Sequence, residues 1–140
     1  MSGLRRAERH RLKWRFASSL FNMPFNNVPD AVNDVWREAR SAYGIGAYTA
    51  SETTCRKILM HLAVDVAGAM RGKTFVEYVN VLDAEGYIAK GLRQVVDQIR
   101  TRGNTANHKL PSITEVEAAQ TIPIVEYSLH SIYELPALAT

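Results

Sequence analysis

Apolar residues recur every three or four positions through most of this chain, and that period predicts helices. Leu4, Ala7, Leu12, Phe16 and Leu20 form a loose apolar side over residues 4–21. The run Asn22-Met23-Pro24-Phe25-Asn26-Asn27-Val28-Pro29 then breaks the pattern, because two prolines among asparagines leave little regular structure. A second helix is predicted from Pro29 or Asp30, since proline suits a first turn whose N–H has no partner. Its stripe is Val32, Val35, Trp36, Ala39 and Tyr43, and Gly44-Ile45-Gly46 ends it. The cleanest stripe follows over residues 47–67: Cys55, Ile58, Leu59, Leu62, Ala63 and Val66, with Arg56 and Lys57 beside it. The short connection between these two helices predicts an antiparallel hairpin.

Beyond a loop at Gly68–Lys73, Thr74 with Glu77 is spaced to cap a short helix that Gly86 ends. Leu92, Val95, Val96 and Ile99 mark a helix over residues 90–102, with Gly103 suited to a left-handed cap. Leu110-Pro111-Ser112 predicts a turn, and Thr114 with Glu117 a second capping box. Pro123 is expected to kink or split the last helix, and Pro136 to stop it. No alternating strand emerges: Thr121-Ile122-Pro123-Ile124-Val125 has strand-like composition, but a proline at its centre argues against one. The predicted fold is all-α, an antiparallel four- to five-helix bundle over residues 29–140, preceded by a basic N-terminal helical arm and connector over residues 1–28.

Charge sharpens that division. The chain carries a net +3, yet residues 1–15 hold Arg5, Arg6, Arg9, Arg11, Lys13 and Arg15 against Glu8 alone, a net of +5. The other 125 residues therefore sum to −2. A basic arm ahead of a near-neutral body points either to contact with a polyanion or to a solvated helix face. Trp14 and Phe16 could stack on bases or pack against the body. A single cysteine, Cys55, excludes an intrachain disulfide and a cysteine-rich zinc site. No apolar run approaches the ~20 residues that span a bilayer. The basic start lacks the apolar stretch of a signal peptide, so a soluble, cytoplasmic protein without membrane attachment is expected.

Chemistry concentrates in Arg100-Thr101-Arg102-Gly103-Asn104-Thr105-Ala106-Asn107-His108. Two guanidinium groups beside an amide and an imidazole can hold a phosphate and move a proton next to it. Asn104 either bonds a phosphate oxygen or makes a local turn bond. Arg56 either pairs with Glu52 one turn earlier or reaches across the bundle toward His108. His61 reads as a structural histidine beside the core, and Cys55 as an inert core thiol. His10 and His130 have no partner at metal-ligand spacing, and Asp65, Asp83 and Glu85 form no metal constellation. No metal site, cofactor motif, nucleophile motif, phosphate loop or dinucleotide fingerprint is evident.

The ordered series Glu38-Ala39-Arg40-Ser41-Ala42-Tyr43, Gly46-Ala47-Tyr48, Cys55-Arg56-Lys57-Ile58-Leu59, Leu82-Asp83-Ala84-Glu85-Gly86-Tyr87-Ile88 and Ile99 through His108 carries a resemblance. Over Val35–Ile132 the chain resembles a prokaryotic and phage helical family of unknown function, often found beside or within restriction-type proteins. That family is similar to the HEPN superfamily of nucleotide-binding helical domains, many of which are metal-independent ribonucleases acting as dimers. Their hallmark is an Arg, four to six residues, then a His. Arg102 and His108, with five residues between them, match it. Gly103, however, occupies the place where a polar residue often follows the Arg. The arginine more usual in this branch aligns with Arg100, which has seven residues before His108 and falls outside the hallmark. The resemblance implies a homodimer that binds RNA or a nucleotide. In its catalytic form a 2′-hydroxyl attacks the neighbouring phosphate, with His108 as acid or base and Arg102, with or without Arg100, stabilising the phosphoryl oxygens. The alternative is a non-catalytic module for dimerisation or a protein partner.

Overall fold

The computed structural model describes residues 25–105 and 112–139, which are helical with no strand among them. The expected arm, with Arg5, Arg6, Arg9, Arg11, Lys13 and Arg15, lies outside the described residues, as do Asn107, His108 and the turn at Leu110-Pro111. Five longer helices make up the architecture: α1 Asp30–Gly44, α2 Tyr48–Asp65, α3 Phe75–Ala84, α4 Arg93–Thr105 and α5 Glu115–Leu129.

Helices α1 and α2 form the expected hairpin. Val32, Trp36, Ala39 and Tyr43 are buried along α1, against Cys55, Ile58, Leu59, Leu62 and Ala63 of α2. The Ser51 hydroxyl, itself buried, donates to the Ala39 carbonyl at 2.8 Å and ties the two backbones together. Gly46 takes φ +85°, open to glycine because it lacks a Cβ, and the chain reverses with the Ala47 amide donating to the Ala42 carbonyl at 2.8 Å. Helix α2 ends at Asp65, two residues short of the expected Ala67. The Val66 and Ala67 amides both turn back to the Leu62 carbonyl, which closes the last turn.

Thr74 opens α3 by accepting the Glu77 amide at 3.2 Å. A 3₁₀ turn at Lys90–Leu92 leads into α4. Here the structure corrects the sequence expectation: α4 does not stop at Arg102, and Gly103 lies inside it as the helix continues to Thr105. Glycine in a helix costs roughly 1 kcal/mol relative to alanine. Burial of Val96 and Ile99 and the anchoring of Arg102 described below hold the turn together.

Helix α5 begins with a complete capping box: Thr114 Oγ1 accepts the Glu117 amide, and the Glu117 carboxylate accepts the Thr114 amide. Pro123 does not split it, and one helix runs from Glu115 to Leu129. An interior proline typically costs ~3 kcal/mol. The burial of Ile122, Ile124, Val125 and Leu129 on either side opposes that cost. Buried positions lie around most of the α5 circumference, because α5 packs against α1, α2 and α4. Regular geometry gives way at His130–Glu134, one π-helical turn, before a short helical turn at Leu135–Ala137 (α6). Pro136 has no N–H to donate to Ile132, so it does not terminate the helix as expected but follows its altered turn.

The segment 25–28 is bound to the bundle rather than strung beside it. Glu134 accepts the Asn26 and Asn27 amides at 2.7 Å each and the Asn27 side-chain amide at 2.8 Å. Burial alone would raise the Glu134 carboxyl, but the bonds from Asn27 and Asn26 and the nearby His130 outweigh it and hold the group below the ordinary carboxylate range. The Phe25 ring packs on His130 at 4.6 Å between centroids, and Val28 enters the core.

Candidate functional site

Glu52 is the residue around which the predicted site is built. It falls on the α2 stripe three residues before Cys55, and only 2% of its side chain is exposed. A carboxylate so buried needs several donors to offset lost hydration. It has three, from three helices. Thr121 of α5 donates to Oε1 at 2.7 Å, Arg102 of α4 places Nη2 2.8 Å from the same oxygen, and Arg56 reaches Oε2 at 3.3 Å.

Arg102 is correspondingly full. Its Nη2 also donates to the Glu117 carbonyl at 3.3 Å, Nη1 donates to Gln120 Oε1 at 3.2 Å, and Nε lies 3.2 Å from Glu117 Oε2. Only 16% of the side chain is exposed. The capping bonds from Thr114, backbone first, and then the Arg102 charge hold the Glu117 carboxyl below its ordinary range against the opposing effect of burial. Arg56 completes its environment by lying over the Phe75 ring at 4.8 Å. Two guanidinium groups thus face two carboxylates in a cluster with no net charge.

Arg100, two residues before Arg102, belongs to another set. Its Nη1 bonds Asp97 at 2.7 Å and its Nη2 lies 3.5 Å from Asp83, an acid that Arg93 also holds. This set fastens α4 to α3 on a different face from Glu52. Of the residues expected to act together, the structure brings Arg102 and Arg56 to one carboxylate and separates Arg100 from them. The Asn104 side chain, His108 and the six basic residues of the arm lie outside the described residues.

Sequence reasoning paired Glu52 with Arg56 correctly but missed its role as a hub, together with Glu117, Gln120 and Thr121. A signal was present: Glu52, Cys55, Leu59 and Leu62 share the spacing of one buried stripe. Cys55 is fully buried, and burial first and the neighbouring Glu52 second push its thiol far above the ordinary value, as befits an inert core group. His61, beside the core stripe, is placed more openly than its neighbours Leu59 and Leu62. Its side chain is 48% exposed, with Nε2 3.2 Å from Asp65 Oδ2 one turn on.

No group of three His, Cys, Asp or Glu side chains that could hold a metal occurs among the described residues. None of the described helices is long and apolar enough to cross a membrane. A family profile described as "Domain of unknown function (DUF4145)" matches residues 37–140, and the chain belongs to that family. No curated protein and no solved structure matches the chain.

Proposed function

We propose that this member of the DUF4145 family is a HEPN-like module that binds RNA or a nucleotide through phosphate contacts, as a homodimer, without cutting its ligand. The observation that carries this reading is the closed charge balance around Glu52. In a phosphate-cleaving site Arg102 would offer its guanidinium to the developing charge on phosphoryl oxygens. Here that guanidinium already meets Glu52, Glu117 and Gln120. Drawing it onto a phosphate would strip a carboxylate that is 2% exposed of one of its two charged partners, at a cost of ~2–3 kcal/mol. Arg102 on this reading is an anchor that fixes the end of α4, and with it the departure of the segment that carries His108.

Affinity for a polyanion then rests on the basic residues Arg5, Arg6, Arg9, Arg11, Lys13 and Arg15 of residues 1–15, a segment whose net +5 stands against −2 for the rest of the chain. The HEPN-like bundle, the homodimer and the choice of RNA or nucleotide come from the residue series in Val35–Ile132. Ribonuclease activity through His108 and Arg102 is the competing reading.

The test uses labelled single-stranded RNA in EDTA, with the wild type, His108→Ala, Arg102→Ala and a chain lacking residues 1–15. Binding without cleavage is expected, with log K falling against log salt at a slope of about −3.5 to −4.2 if five or six phosphates are neutralised. Deleting residues 1–15 should abolish most of that slope. Cleavage that survives EDTA and disappears in both point variants would replace this reading with the nuclease. Absence of both binding and cleavage would leave a protein-interaction module.

A further inference from the structure

The cations of the described bundle divide sharply by partner. Arg37, Arg56, Arg93, Arg100 and Arg102 all pair with acids. Lys57, Arg71, Lys73 and Lys90 have no acidic partner among the described residues, and the first three line the two clefts that meet at His61. One cleft, about 330 Å³, lies between α1 and α2 and includes Glu38, Lys57 and His61. The other, about 460 Å³ and open to solvent, lies between the end of α2 and the loop before α3. His61 and Asp65 line one side of it, and Arg71, Gly72, Lys73 and Tyr78 the other.

We propose that this second cleft binds a phosphate ester, with Arg71 and Lys73 supplying charge and His61, oriented by Asp65, supplying a directed N–H. The cleft has a fixed floor beneath its exposed cations. Tyr78 is buried, and its hydroxyl accepts the Lys73 amide at 3.1 Å, which sets the backbone of the loop. Gly72, at φ +83°, turns the chain between the two cationic residues so that both line the same cleft, and a Cβ there would meet nothing within 4 Å. Asp65 accepts from Nε2–H of His61, so Nδ1 presents its N–H to an anion in the doubly protonated, imidazolium form of the ring. Two unpaired cations exceed the single carboxylate lining this cleft, so the local balance attracts an anion, in contrast to the neutral cluster at Glu52. A phosphate suits such a cleft because its oxygens accept from a guanidinium, an ammonium and an imidazole together.

The inference does not depend on the function proposed above, which rests on residues 1–15 and the end of α4. It is tested on the full chain by ¹H–¹⁵N NMR, titrating inorganic phosphate, adenosine monophosphate and an RNA oligonucleotide with a 5′-hydroxyl, with chloride at matched ionic strength as control. Saturable shifts of the His61, Arg71 and Lys73 resonances are expected with phosphate and the mononucleotide. Affinity should fall at least tenfold in the Arg71→Gln/Lys73→Gln double variant and severalfold in His61→Asn. Saturation by the oligonucleotide at the same resonances would identify a bridging phosphate as the source, and saturation by the mononucleotide alone a terminal one. The altered side chains are exposed, so unchanged melting of the variants verifies the fold. Shifts that chloride reproduces, shifts that map elsewhere, or undiminished affinity in the double variant would overturn the proposal. Retention of these shifts after removal of residues 1–15 would separate this cleft from RNA binding by the arm.

Discussion

Glu52 and Asp65 stand on the same helix, each four residues from a basic side chain, yet they do opposite things. Glu52–Arg56 lies at 3.3 Å with the carboxylate 2% exposed, whereas His61–Asp65 lies at 3.2 Å with both groups about half exposed. Nine residues of helix, about 14 Å at ~1.5 Å per residue, separate Glu52 from His61. At the first place α4 and α5 close over α2, so the acid recruits Arg102 and Thr121 as well as its helical neighbour. At the second the packing is open: His61 and Asp65 line clefts shared with α1, the loop before α3 and Tyr78, and the loop cations Arg71 and Lys73 remain exposed. Sequence spacing sets the pair, and what packs over it decides whether it becomes a structural joint or an accessible surface.

The most demanding way to break this comparison is Glu52→Ala. It leaves two guanidinium groups and a buried hydroxyl without their common acceptor, and losing one partner of a buried pair costs ~3–5 kcal/mol. Urea unfolding should show a loss of that size, with Glu52→Gln intermediate because the amide still accepts from Thr121. Arg102→Ala should cost less, ~2–3 kcal/mol, since Glu52 retains Arg56 and Thr121. The Glu52→Ala/Arg102→Ala double variant should be destabilised by less than the sum, as expected for groups in one network. Full additivity would mean that the cluster is only a set of separate pairs.

A third carboxylate sharpens the contrast from the other side. Glu126 on α5 is buried, and burial pushes its carboxyl up to about 7 despite the opposing attraction of Arg40. A folded value above the unfolded one means the native state favours the neutral acid. Stability from this group is therefore full below about pH 4.5 and is lost as pH rises through about 7. His130 works in the other direction: burial first, against the raising effect of Glu134, lowers it, so its protonation as pH falls is destabilising. Comparison with Glu126→Gln isolates the first effect. The wild type should lose ~1–3 kcal/mol relative to the variant between pH 5 and pH 8. A constant difference across that range would show that Glu126 stays ionised throughout.

The scaffold was readable in the sequence where local chemistry decides it. The α1 and α2 stripes, both Thr caps and the lack of any strand among the described residues follow from period and capping alone. What escaped was settled by tertiary contact. Gly103 and Pro123 are local breakers, and both sit inside helices because buried neighbours outweigh their propensity. Asn26 and Asn27 looked like loop residues until Glu134, more than a hundred positions away, took their amides. The spacing of Arg102 to His108 makes it a candidate phosphate ligand. The partners that occupy it, Glu52 and Glu117, come from helices distant in sequence and carry no local mark beyond the stripe on which Glu52 lies.

The smallest expected effect is the most pointed. Asp65→Asn removes the acid of an exposed pair, and such pairs contribute at most ~0.5–1 kcal/mol, screened further by salt. Urea unfolding of Asp65→Asn and of Arg71→Gln/Lys73→Gln should fall within about 0.5 kcal/mol of the wild type. Near-neutral stability is what an open surface predicts, because no buried group loses its acceptor. A loss of several kcal/mol in either variant would mean that the His61 end of α2 is as closed as the Glu52 end, with its cations bearing on the core. The difference between the two ends would then be one of degree, and the cleft would have no spare charge to offer a ligand.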